Sequence, residues 1–297
     1  VYFGQGGVVT NQASGTISAA SGAAVVIKGG AGSVVNHGSI SGPSGVSIGS
    51  TAGGAGSVFN DGTIAASFTS GFVSAINLSA GGTVTNQGTV IASGGTNGNG
   101  IAITGAGVVT NAAGALIAGP GNGIFDTFGT VINAGSISGT GIPQTGTMTP
   151  FTSGVNLTGG TVINTGRITA LNAGGNGVNL ASGGGSVSNG ATNALSALIE
   201  GYQIGVQIGY SNFATGSFSG VGALTNDGTI IATGTNSTGA NLVAGGNVVN
   251  GAPSVHGALI EGGQSGVGIG FNNGTIAGAI GTVVNYGSII SIGANGF

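Results

Sequence analysis

The sequence predicts an all-β fold: a right-handed single-stranded parallel β-helix, a solenoid of about 11 coils with three short strands per coil. Three observations carry this. A motif keyed by asparagine, V-x-N-x-G-[ST]-[IV], recurs along the 297 residues. Glycine, 70 residues in all, arrives every few positions with β-branched residues between, a composition that disfavours helix and suits short strands. Apolar residues also alternate within each short segment, the strand period of two.

The first strand of each coil carries the asparagine. Eleven occur, Asn11, Asn36, Asn60, Asn86, Asn111, Asn133, Asn164, Asn189, Asn226, Asn250 and Asn285, mostly 24 to 26 residues apart with outliers from 22 to 37. Two positions before each stands Val, or in one case Leu224. The residue between them varies, so Val and Asn share the inner face and the variable residue points outward. Inward amides are costly unless bonded, and stacked asparagines can bond along the ladder and to the turn backbone. The second strand is short, as in Gly38-Ser39-Ile40, and the third reads like Gly45-Val46-Ser47-Ile48. Three parallel sheets are expected, with the glycines placed in turns. Crossover chirality sets the right-handed sense. Equivalent strands about 4.8 Å apart would make a rod roughly 50 Å long.

We read residues 1–297 as a single domain, with two-coil duplicated units at 189–249 and 250–297 and a protruding loop at 140–153. Both duplicated units contain A-L-I-E-G (Ala197 to Gly201, Ala258 to Gly262) and then an aromatic turn at Tyr210 or Phe271. The sequence stops at Gly296-Phe297, where a third strand is due, so we expect a piece of a longer chain.

Seven charged side chains and a net charge of −3 argue against nucleic acid, which is gathered by many basic contacts, and against polybasic lipid attachment. Glycine interrupts every apolar run, so no membrane-spanning helix is expected. With no cysteine there is no disulfide framework.

The repeats resemble the β-helical passenger domains of type V secreted proteins, the autotransporter-like adhesins of Gram-negative bacteria. The likeness rests on V-T-N-Q-G-T-V (Val84 to Val90), V-V-N-H-G-S-I (Val34 to Ile40) and L-T-N-D-G-T-I (Leu224 to Ile230). It implies a location outside the cell or on the bacterial surface, and roles in adhesion, aggregation or biofilm.

No catalytic, metal or cofactor site is expected. Gly45-Val46-Ser47-Ile48-Gly49 matches the nucleophile pattern G-x-S-x-G, which requires a strand-to-helix elbow, yet here it lies in a strand. Glu200 and Glu261 fall at equivalent positions two coils apart with Ala232 between them, roughly 9.6 Å and near the upper limit for an inverting carboxylate pair. This makes a polysaccharide-degrading β-helix the alternative function, although no Arg, Lys or His column is expected near the pair. Gly94 to Gly100 is similar to a calcium-binding nonapeptide but lacks its aspartates. Asp61, Asp227 and His37 occupy a solvated turn slot after the ladder asparagine.

The outward column between Val and Asn carries more information. It includes Val35, Phe59, Ile132, Ile163, Val249 and Val284 and holds no charge, which makes it the candidate contact face. The expected partner is the chain itself, end to end or side by side, or else a surface or glycan. The reading is a non-catalytic structural and adhesive β-helix.

Overall fold

The structure is a computed structural model, which describes residues 1–49, 54–68, 71, 73–95, 97–141, 152–191, 196–212, 217–254, 256–270 and 279–293. The expected protruding loop at 140–153 falls largely outside the described residues, as does the aromatic turn at Phe271. The chain divides into two compact units, Val1–Val155 and Asn156–Phe297. Each is a parallel β-helix.

In the first unit the asparagine strands Gly7–Asn11, Gly32–Asn36, Gly56–Asn60 and Gly82–Asn86 pair in parallel, with Asn opposite Asn and Val opposite Val. The second strands, from Thr16–Ser18 to Ser136–Gly139, form their own parallel ladder. In the second unit Gly222–Asn226, Gly246–Asn250 and Gly281–Asn285 repeat the first arrangement, and Arg167–Ala170 through Ser288–Ser291 repeat the second. The sheets differ from expectation in one respect. Third strands and asparagine strands join in one sheet, because the chain passes between them without a break in Asn99–Asn111, Asn122–Asn133 and Asn176–Asn189. At the aromatic turn expected at Tyr210, the short strand Tyr210–Asn212 pairs antiparallel with Ser217–Ser219.

The inward apolar set recurs from coil to coil. In the coil of Asn36 it is Val34, Ile40, Val46 and Ile48, all fully buried. A single coil cannot enclose these residues, and stacking makes the core continuous.

The glycines are not confined to turns. One column begins the asparagine strands, where Gly82 and Gly246 have positive φ but Gly32, Gly56 and Gly107 do not; another (Gly45, Gly177, Gly205) lies within the third strands without positive φ. Those without positive φ are there for space. A Cβ on Gly32 would stand 2.7 Å from Ile48 Cγ2, and one on Gly205 would stand 2.6 Å from Ile230 Cγ2. Ile48 and Ile230 thus rest on backbone lacking a side chain. In the N-x-G turn the reason is again contact, since a Cβ on Gly62 would strike the Gly38 carbonyl of the coil before it.

Candidate functional site

An asparagine ladder runs through each unit. In the first, each Nδ2 donates to the Oδ1 of the next asparagine, from Asn11 through Asn36, Asn60, Asn86 and Asn111 to Asn133, at 2.7 to 2.9 Å. In the second, Asn164, Asn189, Asn226, Asn250 and Asn285 continue the pattern at 2.8 Å. The same Nδ2 groups reach turn carbonyls, as Asn36 does to Gly38 O at 3.1 Å and Thr63 O at 3.1 Å. The amides are spent internally, which fits a structural role. Asn285 departs from the expected burial. It is exposed, as is all of Gly281–Asn285, a strand covered on one side by Gly246–Asn250.

The variable residues face outward as expected. Ile132, Ile163 and Val284 are 40%, 38% and 42% exposed, while Val35, Phe59 and Val249 are half-buried by their neighbours along the column. In the first unit a shallow, largely apolar groove runs beside this column, where Val8, Ala31 and Ala55 meet Ser33, Ser57 and Thr83. Among the described residues it offers no charged side chain.

The glutamates require two corrections. Glu200 and Glu261 both pair with Ile231, not Ala232, because Ala232 alternates inward and is fully buried. A basic residue also lies beside the pair: Arg167 Nη2 donates to Glu200 Oε2 at 2.6 Å from the neighbouring coil. Its long side chain reaches across a rung that spacing within one strand does not reveal. The two carboxylates therefore sit in a column of Thr169, Glu200, Ile231, Glu261 and Ile290, one of them ion-paired.

The remaining motifs have local explanations. Ser47 lies within the strand Ser44–Ile48, in register with Val26 and Asn77. Gly95 and Gly98 make room for the ring of buried Phe68, which any Cβ there would strike, so this glycine run seats an aromatic side chain. In the turn slot His37 Nδ1 meets Asp61 Oδ2 at 2.8 Å, and its ring lies 6.0 Å from that of Phe59, an exposed cluster bridging adjacent coils.

Asp126 is the group that sequence reasoning missed. It occupies the inward position that Ile48, Leu78 and Ile103 hold in earlier coils, and it is fully buried. Neither carboxyl oxygen has a hydrogen-bond partner. Burial raises its pKa from 3.8 to about 7; the backbone N–H groups of Thr127 and Phe128 counter this only in part, since neither reaches hydrogen-bond geometry. The available signal was alternation: Ile124, Phe125, Asp126 puts the acid on the inner face.

No family model matches the chain, nor does any curated protein or solved structure. Among the described residues no helix is long and apolar enough to cross a membrane.

Proposed function

We propose that this chain is a non-catalytic structural and adhesive β-helix that acts outside the cell and associates with further copies of itself. The observation behind this is the uncharged, partly apolar outward column of the asparagine strands, which in the first unit adjoins the apolar groove. Sheet faces that remain monomeric usually carry charges that discourage association, and this one has none. A net charge of −3 adds little long-range repulsion. The likeness of the N-x-G repeats to autotransporter-like passenger domains points to adhesion, aggregation or biofilm at a bacterial surface. Sedimentation across concentration, at low and high salt, tests the proposal. Oligomers that persist in high salt are expected, because apolar contact is not screened. A clean monomer at high concentration would overturn the reading.

A second reading, polysaccharide cleavage through Glu200 and Glu261, draws on their register two coils apart with Ile231 between. The Arg167–Glu200 pair gives that site a cation able to hold an anionic sugar. Turnover of acidic or neutral glycans that is lost in Glu200→Gln would establish this reading in place of the first.

A further inference from the structure

The corner that follows the third strand in Asn122–Asn133 is inverted in its chemistry. Asp126 is fully buried, while Phe125 and Phe128 on either side of it are 39% and 51% exposed. A carboxyl inside and two phenyl rings outside reverse the usual partition of such groups. The corner is also short. Two residues separate Asp126 from Gly129, against three between Ile103 and Gly107, and the register shifts at that point.

Among the described residues no charged side chain compensates the buried acid. It packs against Ile103 and over Gly107 and Gly129, where a Cβ would strike its Oδ2. The neighbouring strands Asn99–Asn111, Leu116–Gly119 and Ser136–Gly139 carry no titratable side chain. Indeed Asp126 is the sole titratable side chain between Asp61 and Arg167 in the sequence. A carboxylate there has neither cation nor aligned donor, so only the neutral acid suits the site.

We propose that this corner is a proton-operated two-position element. With Asp126 protonated, its carboxyl lies inside and Phe128 outside; on deprotonation the two exchange, the carboxylate entering water and the Phe128 ring taking the inward place. The exchange trades a buried unpaired charge for a buried ring, so both changes favour it once the proton is lost. The ring would take the place the carboxyl leaves, where Gly107 and Gly129 present backbone alone. The chain already seats a phenyl ring this way, with Phe68 over Gly95 and Gly98. The pKa of the inward carboxyl, about 7, is the upper limit of the midpoint, because an outward state that favours the carboxylate releases the proton at lower pH.

The sequence contains no tryptophan, so Phe128→Trp supplies a clean reporter in the full chain. Raising the pH from 4 to 9 should shift its emission to shorter wavelength with a midpoint between about 4 and 7, as the indole leaves water. With Asp126→Asn added, the emission should stay at long wavelength throughout, and Asp126→Leu, which restores the apolar column, should do the same. A pH-independent emission, or an equal shift in the Asp126→Asn background, overturns the proposal. Hydrogen exchange at Thr127 to Gly129, corrected for intrinsic rate, checks it without the reporter. The wild-type chain should change protection between pH 4 and 9 and Asp126→Asn should not; identical profiles would overturn the exchange.

Discussion

Replacing Asn86 tests whether the ladder holds the coils together. Asn86 is fully buried, accepts from Asn60 at 2.8 Å, and donates to Asn111 Oδ1 at 2.9 Å and to Gly88 O and Leu116 O, each at 3.1 Å. Asn86→Ala does not orphan all of these. Asn60 Nδ2 keeps Gly62 O and Thr89 O, and Gly88 O keeps the Leu116 N–H. Asn111 Oδ1 is left in the core without a donor. One orphaned buried acceptor, with the net loss of the other bonds and a small cavity, costs about 3 kcal/mol. Asn86→Asp has the same shape and a different failure. An ionised carboxyl can accept from Asn60 but faces the oxygens of Asn111, Gly88 and Leu116, so its folded pKa must rise above the unfolded value near 4. Its stability is therefore fully present below about pH 4 and falls by up to about 1.4 kcal/mol per pH unit until the folded pKa is passed. Urea unfolding followed by circular dichroism from pH 3.5 to 8, each variant referred to wild type, separates the two. Asn86→Ala should run parallel to wild type, whereas Asn86→Asp should diverge as pH rises. Parallel curves for Asn86→Asp, or a loss under about 0.5 kcal/mol for Asn86→Ala, would refute the ladder argument.

Other expectations follow from the same geometry. Val84→Asp, inward and 1% exposed, should be severely destabilising, and Thr85→Asp, the next residue but outward, mild; equal melting shifts would contradict the face assignment. Gly266→Ala should lose about 1–3 kcal/mol by overpacking, since its Cβ would stand 2.6 Å from Ile289 Cγ2. Gly268→Ala, two residues along the same strand with nothing nearer than 3.4 Å, should be neutral in the same denaturation assay. Asp61→Asn removes the ion pair with His37, about one third exposed on both sides, and should change stability by less than about 1 kcal/mol. Between pH 4 and 7 the wild-type chain should lose stability as pH rises, because the folded pKa of Asp126 is raised to about 7; Asp126→Asn should flatten that slope in thermal melts.

Much of the architecture was legible in the residues alone because each coil is an independent copy of the same statement. Val34, Asn36, Ile40, Val46 and Ile48 are placed by alternation within short strands, a local property, and the repeat tells which face is inside. The period, the inward asparagines and the outward column from Val35 to Val284 follow from that rule. The tertiary structure decided what depends on the space between coils. Gly205 must lack a side chain because Ile230, 25 residues later, fills that place. Arg167 finds Glu200 across a rung, and Ile231 rather than Ala232 separates the two glutamates, since a one-residue difference in register exchanges inside for outside. Asp126 follows the alternation faithfully, but how far its carboxyl is desolvated depends on Ile103, Gly107 and Gly129 closing around it, contacts that exist only once one coil lies on the next.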